Sequence, residues 1–404
     1  DQPHMPLEVL AKLEQFVRQG ATILGPKPVD IPGLQDHGER LAKLHRLAEV
    51  LWGSGGDSAA GENRHGKGRV VWGVTARQWL AKEGVGPDFS CPDAGRAPDL
   101  DFIHRRTDDA EIYFVRNRST QPLRADGLFR VHGRSPGFWD PVDGGIEPAL
   151  VSKAVGEGTR VHLDLPPGGS VFVVFSGLPA AGGVASVSRI SGPNGGSVPA
   201  ATVVKTEASS ATIRCWQNGP HVLEDARGQR RTIEVDQVPA PRVLAGEWTV
   251  VFDPEWGAPA EIKLPELMSW TGHADEGVRH YSGTGTYTRT LEVPAEWLAA
   301  GRRVFLDLGE VREVAEVFVN GRSAGVLWKP PFRADVTALA RPGGNELKIE
   351  VMNLWINRLV GDQELPPEKR FTRTNIRGGQ GWEIQPAGLL GPVRLLVAQD
   401  VVSE

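Results

Sequence analysis

Between Trp248 and Val397 the chain repeats a single device: a short apolar run of alternating character, closed by Gly, Pro, Asn or Asp. The runs are Trp248–Phe252, Gly285–Leu291, Arg303–Leu308, Ala315–Val319, Asn345–Val351 and Val393–Val397. Each is too short for a stable helix and places side chains on opposite faces at period two, so each reads as a strand. Six or more such strands with turns between them predict a β-sandwich over residues 243–404.

The composition supports the same economy of short strands and many turns. Gly 49 and Pro 31 are high together with Trp 12, whereas Met 3 and Tyr 3 are low. Residues 96–242 carry further alternating runs at Glu111–Val115, Gly127–Val131 and Ser170–Phe175, which predict a smaller β-sandwich. The Gly/Ala/Ser-rich stretch Gly177–Thr202 reads as a linker or edge loop, with Ala211–Ile213 and Thr232–Val235 finishing that domain.

Residues 1–95 differ. Leu7, Leu10, Leu13, Phe16 and Val17 have helical spacing with Gly20 closing the run, and the strand Ala21–Leu24 follows. A second helix over Gln35–Leu51 and a strand over Gly68–Gly73 complete a helix–strand–helix–strand order, the signature of a parallel α/β sheet. Two strands cannot cover themselves and a helix comes first, so this is expected to be part of a domain whose polypeptide starts upstream of Asp1. The fold class is mainly β: two β-sandwich domains preceded by a partial α/β domain.

At 404 residues several domains are expected. Net charge is −5, from Lys+Arg 45 against Asp+Glu 50, without a basic stripe, so no nucleic-acid partner is expected. No apolar run approaches the roughly 20 residues that span a bilayer, and Asp1-Gln2-Pro3-His4 opens no signal peptide. The chain is expected to be soluble, periplasmic or secreted rather than cytoplasmic, without a membrane partner. Cys91 and Cys215 form neither a metal-type pair nor a disulfide framework.

Gly283-Thr284-Gly285-Thr286-Tyr287-Thr288-Arg289-Thr290, then Ala315-Glu316-Val317-Phe318-Val319-Asn320-Gly321, then Gly325-Val326-Leu327-Trp328-Lys329-Pro330-Pro331-Phe332 resemble, in that order, the sugar-binding jelly roll of family 2 glycoside hydrolases. Asn345-Glu346-Leu347, Asn353–Leu359 and Gly388–Val393 narrow the resemblance to the version that closes glycoside hydrolase family 106, the α-L-rhamnosidases. Asp101–Arg106, Ile112–Val115, Trp139-Asp140-Pro141 and His65–Trp72 are similar to the segments that precede it there. The resemblance implies a galactose-binding-like jelly roll at the end and an amidotransferase-like α/β part at the start. It also implies that the catalytic (β/α)8 barrel, with its carboxylates and calcium site, lies before Asp1 and packs on this chain in the natural protein.

The stretch with most functional character is Trp355–Pro392. Trp355, Asn357, Arg358 and Asp362 are expected to close a strand, before a long polar loop with Glu368, Arg370, Arg373, Asn375, Arg377, Gln380, Trp382 and Glu383. Sugars are held by planar hydrogen-bonding groups and an aromatic face, so Trp355, Asn357, Arg358, Asp362, Arg373, Asn375 and Trp382 are sugar-binding candidates. Alternatively Asn357, Arg358 and Asp362 pin the loop to the sandwich. His273, His280 and Tyr281, in a second polar–aromatic cluster, are further sugar-binding candidates, or satisfied structural residues. A glycosidase needs two carboxylates about 5 to 10 Å apart, and Asp362 with Glu368 or Glu383 is the pair to mutate first.

Asp335 is the candidate ligand for a structural calcium, or else caps a turn; no other cofactor is expected. Asp307, Glu310, Glu313 and Glu316 read as solvated strand charges rather than paired acids. Gly66-Lys67-Gly68 reads as a turn rather than a phosphate loop, and His104, Asp108 and Ser119 as turn residues rather than a triad. The expected function is the carboxyl-terminal, supporting or sugar-binding portion of an α-L-rhamnosidase-like glycoside hydrolase, with carbohydrate as partner. The alternatives are a free-standing carbohydrate-binding module and an architectural scaffold that binds no sugar.

Overall fold

Period-two alternation is clearest in the strand Gly343–Met352, where Asn345, Leu347, Ile349 and Val351 are buried while their neighbours face outward. The structure is a computed structural model and describes residues 4–53, 59–91, 99–142, 144–177, 184–189, 200–206, 210–225, 228–376 and 381–403. It divides into two compact units, Asp1–Pro87 and Asp88–Glu404, rather than at residue 95. No helix among the described residues is long and apolar enough to cross a membrane.

In the first unit the helices Leu7–Gln19 and His37–Trp52 bury Leu10, Val17, Leu44, Ala48 and Leu51 against Val70 and Trp72 of the strand Gly68–Trp72. The expected parallel pairing holds between Thr22–Leu24 and Gly68–Trp72. The sheet is nevertheless mixed, because Gly61–His65 pairs antiparallel with Gly68–Trp72. Gly61-Glu62-Asn63-Arg64-His65 contains no apolar residue and sits on the sheet edge, so hydrophobic patterning does not reveal it. Gly66-Lys67-Gly68 is the turn of this hairpin: Gly66 has φ +60°, and a Cβ on Gly68 would stand 2.2 Å from the Ala21 carbonyl oxygen. Close backbone approach, not phosphate binding, explains these glycines.

The second unit begins with a sandwich of two antiparallel sheets. One runs in the order Ser152–Val155, Gly158–Leu165, Leu123–Phe129, Phe89–Ser90. The other runs Leu100–Arg106, Ala110–Asn117, Ser170–Ser176, Ser135–Trp139, Ile146–Pro148. Tyr113, Val115, Phe129, Val161, Leu163, Val173 and Phe175 fill the space between them. Within it His104 Nε2 bonds Glu111 Oε2 at 2.8 Å and the Ser119 hydroxyl accepts from Gln121 N at 3.0 Å, so both are structural.

The last sandwich has two six-stranded sheets. One is ordered Glu261–Leu264, Trp248–Val251, Thr284–Val293, Gly343–Met352, Val314–Val319, Arg322–Leu327. Its longest pairing runs antiparallel from Thr284↔Met352 to Val293↔Gly343. The other contains Ala201–Thr206, Ala211–Cys215, Arg394–Ser403, Arg302–Asp307 and Arg333–Asp335, with Arg242–Val243 beside Arg394–Ser403. Ala211–Cys215 therefore joins the final sandwich and does not finish the smaller one. Arg230–Val235 belongs to a separate three-stranded sheet with Gly219–Asp225 and Val184–Arg189; the rest of the expected linker, 178–183 and 190–199, lies outside the described residues.

Val250, Leu291, Val304, Leu306, Val317, Leu347, Ile349, Leu395 and Val397 belong to the core between these sheets. Burying such a side chain contributes about 1.5–3 kcal/mol, which makes this core the main source of the unit's stability. Asn320 and Gly321 have φ +52° and +77° and form the two-residue connection between Val314–Val319 and Arg322–Leu327. An Asn-Gly pair is suited to that left-handed hairpin turn.

Candidate functional site

The segment expected to close a strand is a helix, Ile356–Gln363. Its polarity is inverted: Asn357, Arg358, Gly361 and Asp362 are buried, whereas Trp355, just before the helix, is 64% exposed. Such a helix is stable only if its inward polar groups are paired, and they are. Arg358 Nε donates to Asp362 Oδ1 at 3.0 Å. Asp362 also accepts from Thr372 N at 2.7 Å, Thr372 Oγ1 at 2.5 Å and Phe371 N at 3.3 Å. Asn357 grips the far end of the loop twice, donating to Gln385 O at 2.8 Å and accepting from Gln385 N at 2.7 Å.

Burial would raise the Asp362 carboxyl, but the bonds from Thr372 and Phe371 and the Arg358 charge more than reverse that, leaving it below the ordinary carboxylate value. It is thus a fixed anion, 3% exposed, with its oxygens committed to the loop. Glu368 and Glu383 are exposed on either side of Phe371 and Thr372 in sequence. The site brings together Asn357, Arg358 and Asp362 as a pin, and holds no arrangement of Asp362 open toward a substrate. Arg373 and Asn375 are exposed, Trp382 is half-buried, and Arg377 and Gln380 lie outside the described residues.

The histidine cluster abuts the same helix. A Cβ on Gly361 would stand 2.7 Å from His280 Cβ, so the glycine allows the helix to close on this histidine. His280 is buried, with Nδ1 3.2 Å from Glu276 O. Tyr281 is buried too: its hydroxyl donates to Thr284 O at 3.1 Å and accepts from Asp253 N at 3.2 Å, and its ring packs on Phe252 and Trp270. His273 is half-buried and its Nδ1 accepts from Asp275 N at 3.1 Å. Among these three, His273 retains solvent access, and His280 and Tyr281 serve the core.

Three aromatic rings crown this network. Trp355 meets Trp256 edge to face at 5.9 Å, and Phe371 lies over the Arg358 guanidinium at 4.5 Å, with a Gly257 Cβ position 2.8 Å from its ring. Trp256, Phe371, Thr372, Gln385 and Ser282, whose hydroxyl accepts from Arg358 N at 3.0 Å, were not legible as site residues, because each acts through a contact distant in sequence. Phe371-Thr372 directly after Arg370 was the available hint.

Asp335 is exposed, and its Oδ1 accepts from Thr337 N at 2.9 Å and Thr337 Oγ1 at 2.6 Å, the capping geometry. Its Oδ2 lies 3.9 Å from Arg303, and no group of three His, Cys, Asp or Glu side chains suited to a metal occurs among the described residues. Asp307 is taken by Arg333 at 2.7 Å, Glu310 by Arg312 at 2.7 Å and Glu316 by Ser323 at 2.8 Å. None of these is left as a paired acid.

Residues 1–153 match the α-L-rhamnosidase family, glycoside hydrolase family 106, and residues 267–374 match the sugar-binding domain of glycosyl hydrolases family 2. A rhamnosidase of known structure from Novosphingobium sp. PP1Y is 32% identical, with a TM-score of 0.68 over 98% of this chain and 32% of that one. A putative β-glucuronidase of Formosa agariphila is 24% identical over 96% of this chain and 49% of that protein. The chain thus spans about half the length of the curated relative and about a third of the rhamnosidase. It is glycoside-hydrolase-like, and the resemblance read from the motifs holds on both matched segments.

Proposed function

We propose that this chain is the non-catalytic, carboxyl-terminal portion of an α-L-rhamnosidase-like glycoside hydrolase, and that its jelly roll contributes carbohydrate contacts through the loop Trp355–Pro392. The observation that carries this reading is the likeness over 98% of the chain to only 32% of the Novosphingobium rhamnosidase. The geometry supports it, since Asp362 is sealed into an ion pair and cannot serve with Glu368 or Glu383 as a glycosidase acid pair. Trp355 and Phe371 offer exposed rings to sugar C–H faces, and Arg373 and Asn375 offer planar hydrogen-bonding groups beside them. In the whole protein the chain packs on an upstream barrel, which supplies the acid and base.

The chain alone is expected to release no nitrophenol from nitrophenyl α-L-rhamnopyranoside. It is expected to bind rhamnose-containing oligosaccharides by titration calorimetry, and Trp355→Ala weakens that binding about ten-fold. Turnover abolished by Glu368→Gln or Glu383→Gln would sink the non-catalytic reading. Binding unchanged in Trp355→Ala would remove the loop from it.

A further inference from the structure

A second concave surface is built by other residues. Within the unit Asp88–Glu404 a cavity of about 1440 Å3 is lined by Arg124 of the strand Leu123–Phe129, by His162–Leu165 of the strand Gly158–Leu165, by the strand Ala201–Thr206 and by Val326–Pro331. No residue of the Trp355–Pro392 loop lines it.

The period-two rule builds its floor. Val161, Leu163 and Leu165 point into the core of the smaller sandwich, so His162 and Asp164 point outward. Register then places His162 opposite Asp126 and Asp164 opposite Arg124. Both pairs bond, His162 Nδ1 to Asp126 Oδ1 at 2.8 Å and Arg124 Nε to Asp164 Oδ2 at 3.3 Å. The hydrogen bond from His162 holds the Asp126 carboxyl below its ordinary value. This bond fixes the orientation of the imidazole, and Nε2, which has no hydrogen-bond partner among the described residues, can bond a ligand hydroxyl as donor or acceptor. The same cavity is lined by Trp328, 53% exposed just past the strand Arg322–Leu327, with Lys329 Nζ 5.9 Å from its ring.

Three features select the ligand. Fixed planar hydrogen-bonding groups and an exposed indole in one groove match a molecule that carries both hydroxyls and C–H faces. The guanidiniums of Arg124 and Arg214 are paired with Asp164 and Asp400, and the other two cations of the lining, Lys205 and Lys329, are accompanied by the carboxylates of Asp140 and Glu147, so the surface carries mixed charge rather than a cationic patch built for an anion. The volume also exceeds the roughly 300–1,000 Å3 of sites for single small molecules. From this geometry we infer that the groove binds a neutral oligosaccharide of several pyranose units, with Trp328 as the stacking face and His162 and Arg124–Asp164 reading hydroxyls. This site is independent of the reading given for the Trp355 loop.

Titration calorimetry of the intact chain with xylohexaose, a linear galactan hexasaccharide and an oligogalacturonate tests it. At least one neutral hexasaccharide is expected to bind. Trp328→Ala and His162→Ala each weaken it about ten-fold with unchanged far-ultraviolet dichroism, and Lys263→Ala, at an exposed residue outside both the groove and the Trp355–Pro392 loop, leaves it unchanged. The inference is overturned if neither neutral hexasaccharide binds the wild-type chain, if both groove variants bind like wild type, or if the oligogalacturonate binds more tightly than both.

Discussion

At the scale of the residue, the most consequential group is Asp362. It faces Arg358 in a site where both side chains are 4% exposed, so removing one charge leaves the other buried without compensation. Asp362→Asn is therefore expected to lower unfolding stability by about 3 kcal/mol at neutral pH, read from urea denaturation. A loss within experimental error would show that the pair does not hold the loop. The pH dependence has a defined sign. Because the folded-state pKa lies below its usual value, the ionised form favours folding. That stabilisation is complete above the unfolded value of about 3.9 and disappears as pH falls through the folded value. The gap between wild type and Asp362→Asn should accordingly narrow only below about pH 4.

At the scale of the element, the helix Ile356–Gln363 shows what patterning conveys and what it hides. Trp355, Ile356 and Leu359 have helical spacing, but an apolar face normally marks the inside, and here the buried face is Asn357, Arg358, Gly361 and Asp362. The residue types flagged a special segment; their inward direction depends on Thr372 and Gln385, which no local period encodes. The strands were legible because alternation and burial coincide, as in Gly343–Met352, whereas Gly61–His65 was invisible because an edge strand needs no apolar face. Gly361 supplies a test with an unusual sign. In an open helix Gly→Ala stabilises by roughly 0.5–1 kcal/mol. Here the new methyl would meet Arg358 Nη2 at 2.5 Å and His280 Cβ at 2.7 Å, so Gly361→Ala is expected to destabilise instead, as a lowered urea midpoint. A raised midpoint would mean that the helix does not close on His280.

At the scale of the whole molecule, the chain has separate cores. Leu10, Val17, Leu44, Leu51 and Val70 form the core of Asp1–Pro87, and the cores of the two sandwiches lie in Asp88–Glu404. The sandwiches were read from sequence as domains ending and starting near residue 242, yet Ala211–Cys215 pairs with Arg394–Ser403 across a long stretch of chain. Such a pairing is fixed by tertiary register, which local alternation cannot reveal. It also couples the end of the chain to the middle. Scanning calorimetry is expected to resolve a smaller transition for the first unit, since its core is small and unfolding exposes surface in proportion to size. Deleting Asp400 to Glu404 would remove the carboxylate that Arg214 grips at 2.8 Å and much of the strand partner of Ala211–Cys215. It should therefore lower the larger transition while leaving the smaller one in place. A single transition in which both parts shift together would show that the two units fold as one cooperative body.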